Sequence, residues 1–485
     1  MDIVSLFETL ANEILSAEEI FYKNPKDFYS LERSVKTSTE SFAAAFLGEV
    51  LSSLDSCISK SSWRAGRYVC HRLDKRTLIS SVGDITFNST YYRSIGEHKG
   101  FTHLVEDVIG LEKNERFTEE AEVVLLQEAM KTSYEEATKA LPSKQEITKT
   151  TVMNKVHGIA EEMPDIIYDE PKKVPYLYIE ADEDHVAEQH GRSNDKKDNK
   201  SFISKLIYVY ECKQDSGTAK GRKELVNVHY FAGLYPGPDG NRRLWEKVRR
   251  FVEINYDCDE LKKIFISGDG AAWIKSGTEY LSKAVFCADK YHLIQYLNAA
   301  AGQMLDEKDL VKAELWHLLY SRSGNAKSKF DSYTSRMMES AKKPETVEQL
   351  RSYVLGNWSA VRRTLTNKLV NGCSAESHVS HVLSDRLSSR PMGWSQTGAD
   401  RMSKLRCFEK NNGRDKIIDL VKYSREHRGM EATGTEDISP RMYKVREIIA
   451  EHYDQARSYI DRIQAHFVDG TAKKTAAIRE QLWGL

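Results

Sequence analysis

From Asp2 to about Lys75 apolar residues recur at three- and four-residue spacing, as in Phe42, Phe46 and Val50, which predicts helix. The period changes in Arg76 to Ser94, where β-branched and aromatic residues flank Val82-Gly83-Asp84 in the pattern of a hairpin. Helical spacing returns near Phe117 and lasts to about Met163. Inside that stretch, SYEEATKALPSKQEITKTTVMNKVHGIAEEM predicts a short helix, a turn at Pro142-Ser143, and a longer helix carrying Lys149, Thr150, Asn154 and Lys155. A helix-turn-helix would place such residues in a major groove, while two antiparallel helices of a structural bundle give the same pattern.

After PKKVP the texture becomes strand-like. Short β-rich runs cover Pro175 to Asp182, Lys205 to Cys212, Leu225 to Gly233, Lys262 to Asp269 and Lys283 to Asp289. Polar loops, HGRSNDKKDNK being the clearest, separate the first three, so these predict a meander. An amphipathic helix with Leu244, Val248 and Phe251 stands before the fourth run, and another helix follows Asp269. Three consecutive strands followed by alternating helix and strand predict a mixed sheet covered by helices, of the α+β class. From Tyr291 to about Leu369 the pattern is helical again, and Pro440 to Leu485 reads as one or two amphipathic helices. The resulting division is 1–165, 172–295, 296–370, 371–430 and 431–485.

Composition narrows the class. The 485 residues are 40% hydrophobic and 29% charged, an ordinary globular balance that excludes collagen-like and wholly disordered chains. Lys+Arg is 71 against 72 Asp+Glu, so any anion-binding surface must be local. One local excess lies between positions 361 and 430, with 14 Lys/Arg against 7 Asp/Glu; it points to phosphate contacts or to a solvated face. Seven scattered cysteines without a CxxC pair argue against a disulfide framework or zinc ribbon and fit a reducing cytoplasm. The start MDIVSLFETL lacks a basic segment, and no apolar run approaches the roughly 20 residues a bilayer requires, so neither secretion nor membrane spanning is expected.

Three acids stand at the ends of predicted elements. Asp182 closes the first strand of the meander, and alternation puts Asp182 and Asp184 on one face with Glu183 on the other. Asp269 sits between Gly268 and Gly270, which let a backbone, a metal or a phosphate approach closely at a sheet edge; Gly-Asp-Gly is also a frequent turn. Glu376 follows Ser374, a plausible N-cap, and helical spacing sets it on one stripe with Val379, Leu383 and Leu387, at the rim of the core. An ordinary first-turn glutamate would face solvent instead. Two aspartates on neighbouring strands and a helical glutamate can hold two hard divalent cations, Mg²⁺ or Mn²⁺, that clamp both oxygens of an in-line phosphoryl displacement.

The segments YIEADEDHV, ISGDGAAWIKSG, FCADKYHLIQYL and GCSAESHVSHVLSDRLSSRPMGWS, in this order, resemble a family of bacterial insertion-sequence transposases. That family was earlier catalogued as an uncharacterised protein family and is distantly similar to Mutator-like and hAT transposases. The resemblance covers most of the chain. It implies a ribonuclease-H-like catalytic core, a mixed five-stranded sheet with helices, interrupted by a helical insertion and preceded by a mainly helical N-terminal region. It also implies a DDE triad at Asp182, Asp269 and Glu376, with Asp184 the alternative first ligand, and two Mg²⁺ or Mn²⁺ ions. Asp289 and His292 match a Cys- or Asp-x-x-His pair of the related superfamilies. Trp273 and Trp394 would stack on an extruded base, or else belong to the core. The partners implied are DNA, as element terminal inverted repeats and as target, with a homo-oligomer on paired ends. Lys149, Asn154 and Lys155 would serve end recognition, and Arg386, Arg390, Arg401, Lys404 and Arg406 phosphate contacts. The alternatives are a captured, non-catalytic DNA-binding protein and a nuclease or resolvase on the same fold.

Overall fold

The computed structural model describes residues 3–95, 100–189, 201–217, 223–304, 307–390 and 392–429. The polar loop at 190–200 and the tail from 431 lie outside them. The chain forms two units, residues 1–129 with 133–155 and 421–485, and residues 130–132 with 156–420.

In the first unit, α1 (Ile3–Lys23) and α2 (Phe28–Lys60) form an antiparallel pair. Asp27 starts α2 by accepting the Ser30 N–H at 3.1 Å, and Phe7 packs on Phe42 with centroids 5.1 Å apart. By length and composition α2 could cross a membrane, which corrects the expectation that no apolar run is long enough. Its side chains instead serve a sheet. The strands β1 (Tyr68–Ser80), β2 (Gly83–Ser94) and β3 (Phe101–His103) are antiparallel in that order. Ser52 Oγ and the Asp55 carboxylate accept the Asn88 and Thr90 N–H groups at 3.0 and 2.9 Å, filling an edge of β2 that β3 is too short to pair. The hairpin turn falls where the sequence puts it, with Ser80 opposite Gly83 and Gly83 at φ 122°. However, β1 begins at Tyr68, inside the stretch expected to be helical. Val69 to Leu73 are exposed on both faces, so no period of two marks them as a strand.

The expected helix-turn-helix does not form. After α3 (Glu119–Ala129), Tyr134–Ala137 is a single turn followed by a 3₁₀ turn at Thr138–Ala140, and an irregular stretch leads to α4 (Lys149–His157). Asp84 holds that stretch, accepting Ser143 Oγ at 2.5 Å and Lys144 N–H at 3.0 Å, so it is longer than the three or four residues of a helix-turn-helix. Helix α4 also stops at His157 rather than near Met163.

The second unit is built on one mixed sheet. Strands β4 (Tyr176–Ala187), β5 (Ser201–Tyr210) and β6 (His229–Gly233) form the expected antiparallel meander. Helix α5 (Gly237–Asn255) then leads to β7 (Lys263–Gly268), which pairs parallel to β4, and β8 (Ala284–Ala288) pairs parallel to β7. The order is β8-β7-β4-β5-β6. Leu244, Trp245, Val248 and Phe251 bury one stripe of α5 against Leu177, Ile179, Ile264 and Ile266 of the sheet. Helices α6 (Lys290–Ala301), α7 (Lys308–Tyr320), α8 (Ala326–Ser340), α9 (Pro344–Gly356) and α10 (Trp358–Thr366) follow, and their Leu297, Leu315, Phe330, Leu350 and Val361 extend the same core. The chain returns to the sheet through α11 (Ala375–Val379) and then α12 (Gln396–Asn412), which packs on β6.

Candidate active site

Parallel pairing of β4 with β7 ends at Glu180 opposite Ser267. Two residues beyond each lie Asp182, still within β4, and Asp269, just past the end of β7. Gly268 permits the close approach of the two strands, because a Cβ there would stand 2.8 Å from the Ala181 carbonyl oxygen. Asp269 Oδ1 accepts the Ala271 N–H at 2.8 Å, which fixes the turn, and Gly270 takes φ 98°. Asp182 Oδ1 accepts the Glu183 N–H at 2.9 Å. Burial, reinforced by the neighbouring Asp269 charge, pushes the Asp182 carboxyl up to about 6. Asp184, the alternative, is turned elsewhere, both of its oxygens 2.9 Å from Ser388 Oγ.

Beside the pair, Asp289 closes β8 and caps α6. Its N–H donates to the Gly268 carbonyl at 2.9 Å and its Oδ1 accepts the Tyr291 N–H at 3.0 Å. Its Oδ2 takes a 2.6 Å hydrogen bond from His292 Nδ1. That bond, with the charges of Asp289, Asp182 and Asp269, raises the His292 pKa and favours the imidazolium. His292 thus stands beside the two aspartates with its charged form favoured.

Glu376 does not take the rim position its spacing predicts. It is exposed, and the buried stripe starts at Ala375 and continues through Val379, Leu383 and Leu387. Glu376 faces outward as an ordinary first-turn glutamate does, and Ser380–Ser384 widens into a π turn further along. No group of three His, Cys, Asp or Glu side chains among the described residues is close enough to hold a metal ion. What fastens the start of α11 to β4 is Glu180, which sequence reasoning missed although it lies in a quoted segment. Its carboxylate is 1% exposed. It accepts the Ser374 N–H and the Tyr210 hydroxyl at 2.6 Å each, together with the Tyr208 hydroxyl, and pairs with Lys213 at 3.1 Å. An acid within the apolar run YLYIEA, facing tyrosines at alternate positions of YVY, was the available signal.

Several residues expected on DNA are internal. Lys155 is buried between Glu115 and Glu122, at 2.6 and 3.1 Å. Lys404 is buried against Asp400 and the Glu161 carbonyl, at 2.8 and 2.9 Å, and Arg401 pairs with Asp400 at 2.8 Å. Arg406 donates to the carbonyls of Val382, Met130 and His381. Arg386 is buried with its guanidinium 4.6 Å above the Trp394 ring. Both tryptophans are core residues rather than base-stacking ones. Trp394 Nε1 donates to Leu387 O at 3.1 Å, and Trp273 Nε1 to Glu183 Oε2 at 2.8 Å. Lys149, Asn154 and Arg390 are exposed.

A mixed α+β protein with one aspartate in β4 and another just past the end of the parallel strand β7, beside a histidine, places its polar groups where open sheets of this kind take ligands. The chain belongs to the uncharacterised protein family UPF0236, whose model matches residues 22–423. A UPF0236 protein of Caldanaerobacter subterraneus subsp. tengcongensis is 34% identical over 402 residues, covering 83% of this chain and 82% of the relative. A second from the same organism is 32% identical over 413 residues, covering 85% and 82%. A chain of the Drosophila P element transposase strand transfer complex aligns at 13% identity over 72% of this chain and 93% of its own, with a TM-score of 0.21, too low for a shared fold to be read from it.

Proposed function

We propose that this chain is a DDE-type DNA transposase, which hydrolyses a phosphodiester at the ends of its element and joins the freed 3′-hydroxyl to target DNA. The observation that carries the reading is that the β4–β7 register, which ends at Glu180 opposite Ser267, leaves Asp182 and Asp269 close enough for the Asp269 charge to help raise the Asp182 pKa. Half-buried oxygen donors whose charges oppose each other suit Mg²⁺ or Mn²⁺, which need only one or two carboxylates when substrate phosphates complete the shell. Asp182 and Asp269 would hold the ions, and Glu376, two residues after the fastened Ser374, is the third acid of the proposal. Such cations, when bound, supply Lewis acidity and charge neutralisation at the scissile phosphate. Asp289 orients the His292 ring beside the aspartates through the Nδ1–Oδ2 hydrogen bond. Lys149, Asn154 and Arg390 are free to meet phosphates. A mixed five-stranded sheet with a helical insertion agrees with the ribonuclease-H-like core that the resemblance implies. The name of the 34%-identical relative joins eleven serial designations in one organism, as copies of a mobile element would. Element ends, target DNA and a second protomer in the bacterial cytoplasm complete this reading.

The test is cleavage and joining of DNA from both flanks of the gene, in Mg²⁺ or Mn²⁺, by wild type and Asp269→Asn. Discrete nicking and strand transfer, lost in Asp269→Asn while DNA binding persists, is the expected result. The exposure of Glu376 favours a second reading, a DNA-binding protein that does not cut. Binding without cleavage by folded wild type in either metal would establish it, and cleavage without joining would indicate a nuclease.

A further inference from the structure

The three-stranded sheet of the first unit carries a surface that strand cleavage leaves unused. In the β2–β3 register Tyr91 stands opposite His103 and Arg93 opposite Phe101, so all four share one face. The Tyr91 and Phe101 rings stack at 5.2 Å and 16°, and His103 lies 4.7 Å from Tyr91. The β1 register shifts between Cys70 and Arg72, and the extra residue, His71, meets the Phe101 ring edge-on at 5.3 Å. The Arg72 guanidinium lies 4.6 Å over Tyr91, held by Asp74 Oδ1 and Oδ2 at 2.9 and 3.0 Å.

An aromatic ladder that only stabilised the sheet would be covered. Here Phe101 is 51% exposed, the Arg72 side chain 57%, and His71 and Arg93 are exposed as well. A flat apolar ring left half bare, with the exposed Arg93 opposite it in the register, is complementary to a ligand that is flat, aromatic and anionic. Nucleobases joined by phosphates have that chemistry. In a duplex the base faces are already stacked on each other, so only unpaired bases can occupy such a ring.

We propose that this face binds single-stranded DNA, with a base on Phe101 and an adjoining phosphate on Arg93. The choice of DNA rests on the proposed function; the stacking geometry does not. The site would hold strands opened near a cleaved end.

The test uses the full chain in EDTA, so that no cleavage occurs, and a fluorescein-labelled oligo(dT) of about 15 nucleotides against a duplex of equal length. The single strand should bind more tightly. Phe101→Ala should weaken it by about ten-fold. Phe101→Trp should bind as wild type, and the emission it adds should be quenched by the oligonucleotide, a signature that a purely structural ring would not give. Arg93→Gln should lower the slope of log affinity against log salt by about 0.7. Unchanged affinity in a folded Phe101→Ala protein, unquenched Phe101→Trp emission with oligonucleotide bound, or tighter binding of the duplex would each overturn the proposal. Binding in EDTA involves neither Asp182 nor Asp269 as metal ligands, so its failure leaves the cleavage reading standing, and the reverse also holds.

Discussion

Asp182 is raised to about 6 mainly by burial, so the native chain holds a proton that the unfolded chain, near 3.8, has already released. Between those values the native state binds more protons, and stability falls as pH rises from about 4 to about 6. His292 has the same sign, since its raised pKa gives stability that is complete below about 6.5 and lost as pH climbs through the folded value. The site is therefore destabilised as pH rises through these values, because Asp182 loses its proton beside Asp269 while His292 loses its charge. Asp182→Asn should raise stability by about 1–3 kcal/mol at pH 8 and by little at pH 4, which thermal melts at the two pH values check. A gain that is equal at both would show that Asp182 titrates normally. Mg²⁺ at pH 8 should raise the melting temperature of wild type but not of Asp269→Asn.

At the scale of elements, the Glu180 cluster joins two strands to the start of α11. Glu180 stands directly opposite Tyr208 in the β4–β5 register, and Ser374 arrives from far along the sequence. Glu180→Ala would leave Lys213 without its carboxylate partner, the Tyr210 hydroxyl without its acceptor and the Tyr208 hydroxyl with only Ser374 Oγ at 3.3 Å, a loss of about 3–5 kcal/mol. Tyr210→Phe removes one hydrogen bond and should cost about 1 kcal/mol. Urea denaturation distinguishes the two, and equal losses would mean that no ion pair is at stake. The strands on which this cluster sits could be read from sequence, because buried β runs are short, apolar and bounded by turn residues. What joins them could not, because convergence across almost two hundred residues leaves no local period. Glu376 was misplaced because the stripe through Val379, Leu383 and Leu387 begins at Ala375, four residues before Val379, and three- and four-residue spacings suit one helix face equally well. The start of β1 escaped because a strand exposed on both faces has no alternation.

Across the whole molecule, charge decides how DNA could be held. With 71 basic and 72 acidic residues there is no general attraction to a polyanion, so affinity must come from the cations left unpaired at the surface. A count of Lys and Arg along 361–430 could not separate these from the rest, because it does not see burial. Lys404, Arg401 and Arg406 are committed to Asp400 and to backbone carbonyls, whereas Arg390, and Lys149 in the other unit, are exposed. The two groups should therefore fail in different ways. Lys149→Ala and Arg390→Ala should leave melting unchanged and each reduce the salt slope of duplex binding by about 1. Arg406→Ala removes the donor from three carbonyls and should lower the melting temperature by several degrees, with the salt slope intact. Salt titrations of duplex binding, run beside melts of the same preparations, separate the two groups. A reduced slope for Arg406→Ala at native melting temperature would move that guanidinium from the interior of the fold to the DNA.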